Sequence, residues 1–151
     1  MHDFPITLRW QGSTAEKDYS KDHEVRAEGR PAIPASSAAQ YGGNPAMWTP
    51  EDLYAAAVAN CHMLTFLALA AKARLDVRRY DGNAMAALDD AAKPPHITRV
   101  TLSPTIRIAP GTDEAKVRLM FEKAHKYCFI AQSVKAEIVL DPVIVEEPQG
   151  D

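Results

Sequence analysis

Cysteine is scarce in this chain: Cys61 and Cys128 are the only two in 151 residues. In a reducing compartment so sparse a pair is not expected to be a permanent staple, which leaves buried thiols, metal ligands or redox groups. Runs of positive charge are missing too. Lys and Arg number 17 against 20 Asp and Glu, for a formal net charge of −3, and they are scattered. Nothing in that pattern points to nucleic acid. No stretch near Met1 joins a basic start, an apolar run and a small-residue cleavage site, so the expected location is cytoplasmic. No internal repeat is visible. What remains is ordinary for a soluble protein: 46% hydrophobic and 25% charged residues, enough for one domain over 1–151 with a real core.

The chain opens with "FPITLRWQG", where Ile6, Leu8 and Trp10 alternate with Thr7 and Arg9. A period of two predicts a half-buried strand. A polar stretch from Ser13 to Lys21 suits a turn into a second strand around "HEVRAEG". From Arg30 to Pro50 the composition changes to "RPAIPASSAAQYGGNPAMWTP", which reads as a long loop, either a functional lid or without fixed structure. Strand-like segments follow in "DVRRYDGNAMAALDD" and "HITRVTLSPTIRIAP", with Pro104 at an edge or bulge. A helix over "GTDEAKVRLMFEKAHKYC", capped by Thr112 or Asp113, presents Val117, Met120, Phe121 and Ala124 on one face. A single strand, "AEIVLDPVIVEE", closes the chain. Strands, helix, strands, helix, strand is α+β order rather than alternating βαβ.

The most distinctive stretch is "TPEDLYAAAVANCHMLTFLALAAKA", Thr49 to Ala73. Thr49 suits the cap, Pro50 the first turn, and Glu51 and Asp52 put negative charge at the positive end of the dipole. Thr49-x-x-Asp52 is close to a capping box. Asn60, His62 and Lys72 interrupt the apolar run and Ala dominates it, which argues against a membrane span. Apolar side chains around most of its circumference predict burial, against a sheet on one side and a partner chain on another. Met47 and Trp48 are candidates either to staple the loop onto the core or, with Tyr41, Phe66 and Phe129, to line an apolar pocket.

Both thiols have three possible fates: inert core residues, a redox pair, or a metal site with His62 and His125. Burial raises a thiol's pKa, so a reactive Cys61 needs stabilising neighbours and access. Cys128 falls at a helix C-terminus, where the partial negative charge disfavours a thiolate. It therefore suits a resolving partner better than a first nucleophile. The metal arrangement is disfavoured because Cys61 and His62 are adjacent.

Read together, "TPEDLYAAAVANCHM" and "AHKYCFIAQSV" resemble the two cysteine signatures of the OsmC/Ohr family, the osmotically induced and organic-hydroperoxide-resistance proteins. The resemblance runs from Trp10 to Leu140. It implies an α+β fold in which curved antiparallel sheets wrap central helices in an intertwined homodimer, with active sites at the subunit interface. It implies a thiol-dependent peroxidase for organic or fatty-acid hydroperoxides, reduced by a dithiol or a lipoylated protein and needing no cofactor or metal. By position, Cys61 matches the peroxidatic cysteine, Cys128 the resolving cysteine and Glu51 the active-site carboxylate. The family also uses an arginine before the first helix. The loop "AAQYGGNP" has none, and Arg26 and Arg30 in "EVRAEGRP" are the nearest candidates. Ten residues of helix span about 15 Å, so Glu51 either serves a partner's site or the helix breaks near its start. The alternative reading is a protein of this fold, inactive or weakly active, that holds an apolar ligand at the dimer interface.

Overall fold

A computed structural model describes residues 1–150. The chain forms two compact units, one from Met1 to Leu53 and one from Tyr54 onward.

In the first unit, strands β1 (Thr7–Arg9), β2 (His23–Arg26) and β3 (Ile33–Ala35) make an antiparallel sheet in that order. Leu8 lies opposite Val25, and Val25 opposite Ile33. The predicted half-burial of β1 is not observed: all three of its residues are exposed, Leu8 at 65%. Three short strands have too little chain to cover both faces of the sheet.

The segment from Arg30 to Pro50, expected to be a long loop serving as a lid or without fixed structure, is in fact structured. It contains β3 and a 3₁₀ turn at Ala39–Tyr41. Ala35 bridges to Trp48, with Ser36 N–H donating to the Trp48 carbonyl at 2.8 Å. The buried Ser36 hydroxyl donates to Asp22 Oδ1 and accepts from Asn44 N–H, both at 3.0 Å. At Gly43 the backbone passes so close to Ser37 that a Cβ would fall 1.6 Å from its carbonyl oxygen. Only glycine allows that approach.

Helix α1 spans Pro50–Lys72. Its start is the capping box read from the sequence: Asp52 N–H donates to Thr49 Oγ1 at 3.0 Å, and Thr49 N–H to Asp52 Oδ2 at 2.9 Å. It ends in a Schellman turn, with Leu75 N–H bonded to the Ala70 carbonyl and Arg74 at φ 60°.

The second unit builds its core from α1, helix α2 (Glu114–Tyr127) and six strands: β4 (Val77–Asp81), β5 (Ala84–Asp89), β6 (His96–Leu102), β7 (Thr105–Ile108), β8 (Glu137–Leu140) and β9 (Val143–Glu146). Asp113, not Thr112, caps α2 by accepting from Lys116 N–H at 3.1 Å. Two three-stranded sheets form, ordered β4-β7-β9 and β5-β6-β8. The expectation of antiparallel sheets holds only in part. β4 with β7 and β5 with β6 are antiparallel, whereas β6 with β8 and β7 with β9 are parallel.

The predicted final strand is in fact two, and so is "HITRVTLSPTIRIAP". Pro104 and Pro142 lie at matching breaks, where a proline cannot donate to a ladder. The pairing carries across both breaks, with Asp141 N–H donating to the Leu102 carbonyl at 2.8 Å and Val143 N–H to the Pro104 carbonyl at 2.9 Å.

One core cluster joins Phe66 and Ala70 of α1 to Ile106, Ile108, Val117, Phe121 and Ala124. A second gathers Val58, Val100, Leu102 and Ala136. Burial of α1 follows one stripe, Ala55, Val58, His62, Phe66 and Ala70, at helical spacing. The predicted all-round burial is absent within one chain: Ala57, Leu64, Ala68 and Ala71 are exposed. By length and composition α1 could cross a membrane, but its buried stripe makes it the core helix of this unit.

Candidate active site

Cys61 projects from the middle of α1 and is partly exposed, while Cys128 is the residue that ends α2 and is fully buried. The fold brings the two side chains together, close enough for each sulfur to act on the acidity of the other. Helix periodicity explains which way each points. His62, next to Cys61, turns onto the buried stripe and packs edge-on against Phe121, ring centroids 4.4 Å apart, so its neighbour is left toward the turn that follows α2.

That turn shapes the chemistry. After Cys128 the chain runs through Phe129 and Ile130 into a 3₁₀ turn at Ala131–Ser133. Burial raises the Cys61 thiol's pKa. Hydrogen bonds from Ile130 N–H, the Cys128 thiol and Phe129 N–H, with Thr65 last, more than offset it, and the net result lies below the ordinary thiol value. The Thr65 hydroxyl donates to the Cys61 carbonyl at 2.8 Å. Among the described residues, none of the groups lowering Cys61 is a cation.

Cys128 behaves in the opposite way. Burial, aided by the adjacent Cys61 sulfur, pushes it up to about 11, although Ala131 N–H donates to its Sγ at 3.4 Å. Two sulfurs in one site thus have opposite acidities. The partly exposed sulfur is the more acidic and the buried one the less. The arrangement suits nucleophilic attack by Cys61 on a soft oxidant, followed by capture of the oxidised sulfur by Cys128.

The other predicted residues are less gathered. Glu51 lies in the first turn of an unbroken α1, so the predicted break near the helix start does not occur, and about 15 Å of helix separates it from Cys61. Its Oε2 is buried with no hydrogen-bond partner among the described residues, a carboxylate oxygen still to be satisfied. Arg26 is exposed and held by Glu24 through Nε at 2.8 Å and Nη2 at 2.6 Å. Arg30 is exposed in the turn after β2, its N–H donating to the Ala27 carbonyl at 3.1 Å.

Phe66 is fully buried between Phe121 and Tyr80 and cannot line a pocket. Tyr41, Trp48 and Phe129 are exposed, Phe129 at 83%. Among the described residues no group of three or more His, Cys, Asp or Glu is arranged to hold a metal ion. Desolvation drops His62 to about 4, His125 adds like-charge opposition, and the Phe121 backbone counters weakly without making a full hydrogen bond. Sequence reasoning missed Thr65 and the donors of the Phe129–Ser133 turn. Gln132 and Ser133 in the turn that follows the end of α2, both able to bond free carbonyls, were the available signal.

Comparison with known proteins places this geometry in context. A family model described as OsmC-like protein matches residues 42–142. An OsmC-like protein of unknown function from Vibrio cholerae is 32% identical, with a TM-score of 0.84 over 95% of this chain and 100% of that one. An organic hydroperoxide resistance protein from Elizabethkingia anophelis shares the fold at 17% identity and a TM-score of 0.71, covering 97% of this chain and 98% of its own. The organic hydroperoxide resistance protein OhrB of Bacillus subtilis does so at 17% and 0.64, covering 95% and 98%. No curated protein matches the chain in sequence.

Proposed function

The chain belongs to the OsmC-like protein family, and from that premise we propose that it is a thiol-dependent peroxidase reducing organic or fatty-acid hydroperoxides in the cytoplasm. The observation that carries the reading is the paired site itself: Cys61 partly exposed and lowered, Cys128 buried and raised, each acting on the acidity of the other.

The cycle balances in three steps. The Cys61 thiolate attacks the terminal oxygen of ROOH; the O–O bond breaks, Cys61 becomes a sulfenic acid, and the alkoxide takes a proton and leaves as ROH. The Cys128 sulfur then attacks the oxidised Cys61 sulfur, and the S–OH hydroxyl departs with the thiol proton as water, leaving a disulfide. An external dithiol or a lipoylated protein returns both cysteines to thiols and is itself oxidised.

In this reading the protein is an intertwined homodimer. The exposed apolar residues Ile6, Leu8 and Trp10, together with the Leu64 face of α1, support it, because such surfaces call for a cover. Since α1 is unbroken, Glu51 serves the partner's site, where it would orient an arginine, Arg26 or Arg30. A lone carboxylate beside a thiolate would instead raise the thiol's pKa. No nucleic acid or membrane partner is part of this reading.

The test is consumption of cumene hydroperoxide with a dithiol as reductant. Wild-type protein is expected to turn over and Cys61→Ser to lose at least about 100-fold, since removing a nucleophile abolishes the covalent route. Equal rates for the two would end the enzyme reading.

A further inference from the structure

The groups that favour ionisation of Cys61 come mainly from one short stretch, Cys128 to Ile130, and that stretch has no regular ladder to hold it. It follows the last turn of α2, where carbonyls lack helical partners and a chain end is free to fray. Four hydrogen bonds fix it instead. Gln132 uses both ends: its side-chain Nε2 donates to the His125 carbonyl at 3.0 Å, and its backbone N–H donates to the Cys128 carbonyl at 3.1 Å. Ser133 does the same one residue on. Its hydroxyl donates to the Phe129 carbonyl at 2.7 Å, and its N–H to the Ile130 carbonyl at 2.9 Å. Every carbonyl from Cys128 to Ile130 is thereby tied down, and a peptide whose carbonyl is tied cannot rotate its N–H freely.

We propose that Gln132 and Ser133 are positioning residues for Cys61: they lock the Cys128–Ser133 turn so that the main-chain N–H groups of Phe129 and Ile130 and the Cys128 thiol stay aimed at the Cys61 sulfur. Successive main-chain N–H groups turned to one point form an anion-binding concavity. Here the anion is the thiolate. The inference deepens the peroxidase reading by identifying what holds the nucleophile ready, and it makes the resolving segment also the activating one. Neither residue touches the sulfur. Of the groups that set the acidity of Cys61, the only titratable one is Cys128, whose proton stays in place across the neutral range because burial pushes it up to about 11.

The test reads thiol acidity without any hydroperoxide, so it is independent of whether the protein turns over. Iodoacetamide alkylation of Cys61 is followed against pH by peptide mass spectrometry in wild type, Ser133→Ala, Ser133→Thr and Gln132→Met. Ser133→Ala and Gln132→Met each remove one side-chain donor, and the midpoint is expected to rise by about one pH unit, as lost hydrogen bonding to a charged form does. Ser133→Thr keeps the hydroxyl and is expected to restore the wild-type midpoint. Folded variants with an unmoved midpoint overturn the proposal, as does Ser133→Thr behaving like Ser133→Ala.

Should the variants fail to fold, the wild-type protein decides. The amide ¹⁵N and ¹H resonances of Phe129 and Ile130 are expected to titrate with the same midpoint as Cys61 alkylation, and amides indifferent to that ionisation overturn the assignment. A shifted midpoint in a protein without peroxidase activity would uphold this inference and reject the peroxidase reading. Turnover with unmoved midpoints would do the reverse.

Discussion

The two units of the molecule hide their apolar residues to very different degrees. From Tyr54 onward, Phe66, Phe121, Leu102, Ile106 and Ile108 are all essentially without solvent contact. Before Leu53 the large apolar residues Phe4, Ile6, Leu8, Trp10 and Trp48 are all substantially exposed. One region has the interior that stability requires; the other has strands, turns and buried hydrogen bonds but little to bury them with. The contrast shows that a well-formed backbone does not imply a finished surface, and the exposed apolar residues of the first unit are those that the proposed homodimer would cover.

The sharpest way to break this comparison is to hollow the second unit. Phe121 packs on both Phe66 and His62, and Phe121→Ala is expected to cost about 3–5 kcal/mol, read as a lower urea midpoint. A loss under about 1 kcal/mol would show that this core is not what holds the unit together.

Acid provides the next test. His62 is fully buried, and desolvation lowers it to about 4 from its ordinary 6.5, with His125 opposing a second charge. The neutral form is therefore preferred in the folded state, and the unfolded chain binds a proton that the folded chain refuses. The contribution of His62 is intact above pH 6.5 and is lost as pH falls toward 4, amounting to about 3 kcal/mol in all. Denaturation followed at pH 7 and pH 4 in wild type and His62→Leu should show a smaller drop in the variant. An identical drop would remove His62 as the acid-sensitive element.

The smallest expected effect belongs to the first unit. Leu8→Ala should leave thermal unfolding of the isolated chain within about 0.5 kcal/mol, as surface changes do, yet raise the dimer dissociation constant about tenfold, equivalent to about 1.4 kcal/mol. Sedimentation at a series of concentrations reads both assembly and its loss. A dissociation constant untouched by Leu8→Ala would mean that this face is not covered by a second copy.

Local signals were legible in the sequence and non-local ones were not. Thr49 and Asp52 announced the start of α1, and the pair Thr112 and Asp113 that of α2, where Asp113 proves to be the cap, because a cap is decided by residues three apart. The two prolines did not announce that they face each other, since the parallel pairing of β6 with β8 and β7 with β9 joins segments about forty residues apart. Alternation in β1 was read correctly as a strand and wrongly as half-burial, because period reports conformation and not what covers it. At the site, the thiols were visible as residues and the acidity of Cys61 was not. Its donors are mostly main-chain N–H groups, which carry no signature of their own in a sequence.

The measurement that bears most directly on the whole account is mass spectrometry of the reduced protein after one equivalent of cumene hydroperoxide. An intrachain Cys61–Cys128 disulfide, absent from Cys61→Ser, is the predicted product. Recovery of both thiols unchanged, or oxidation of Cys61 with no link to Cys128, would contradict it.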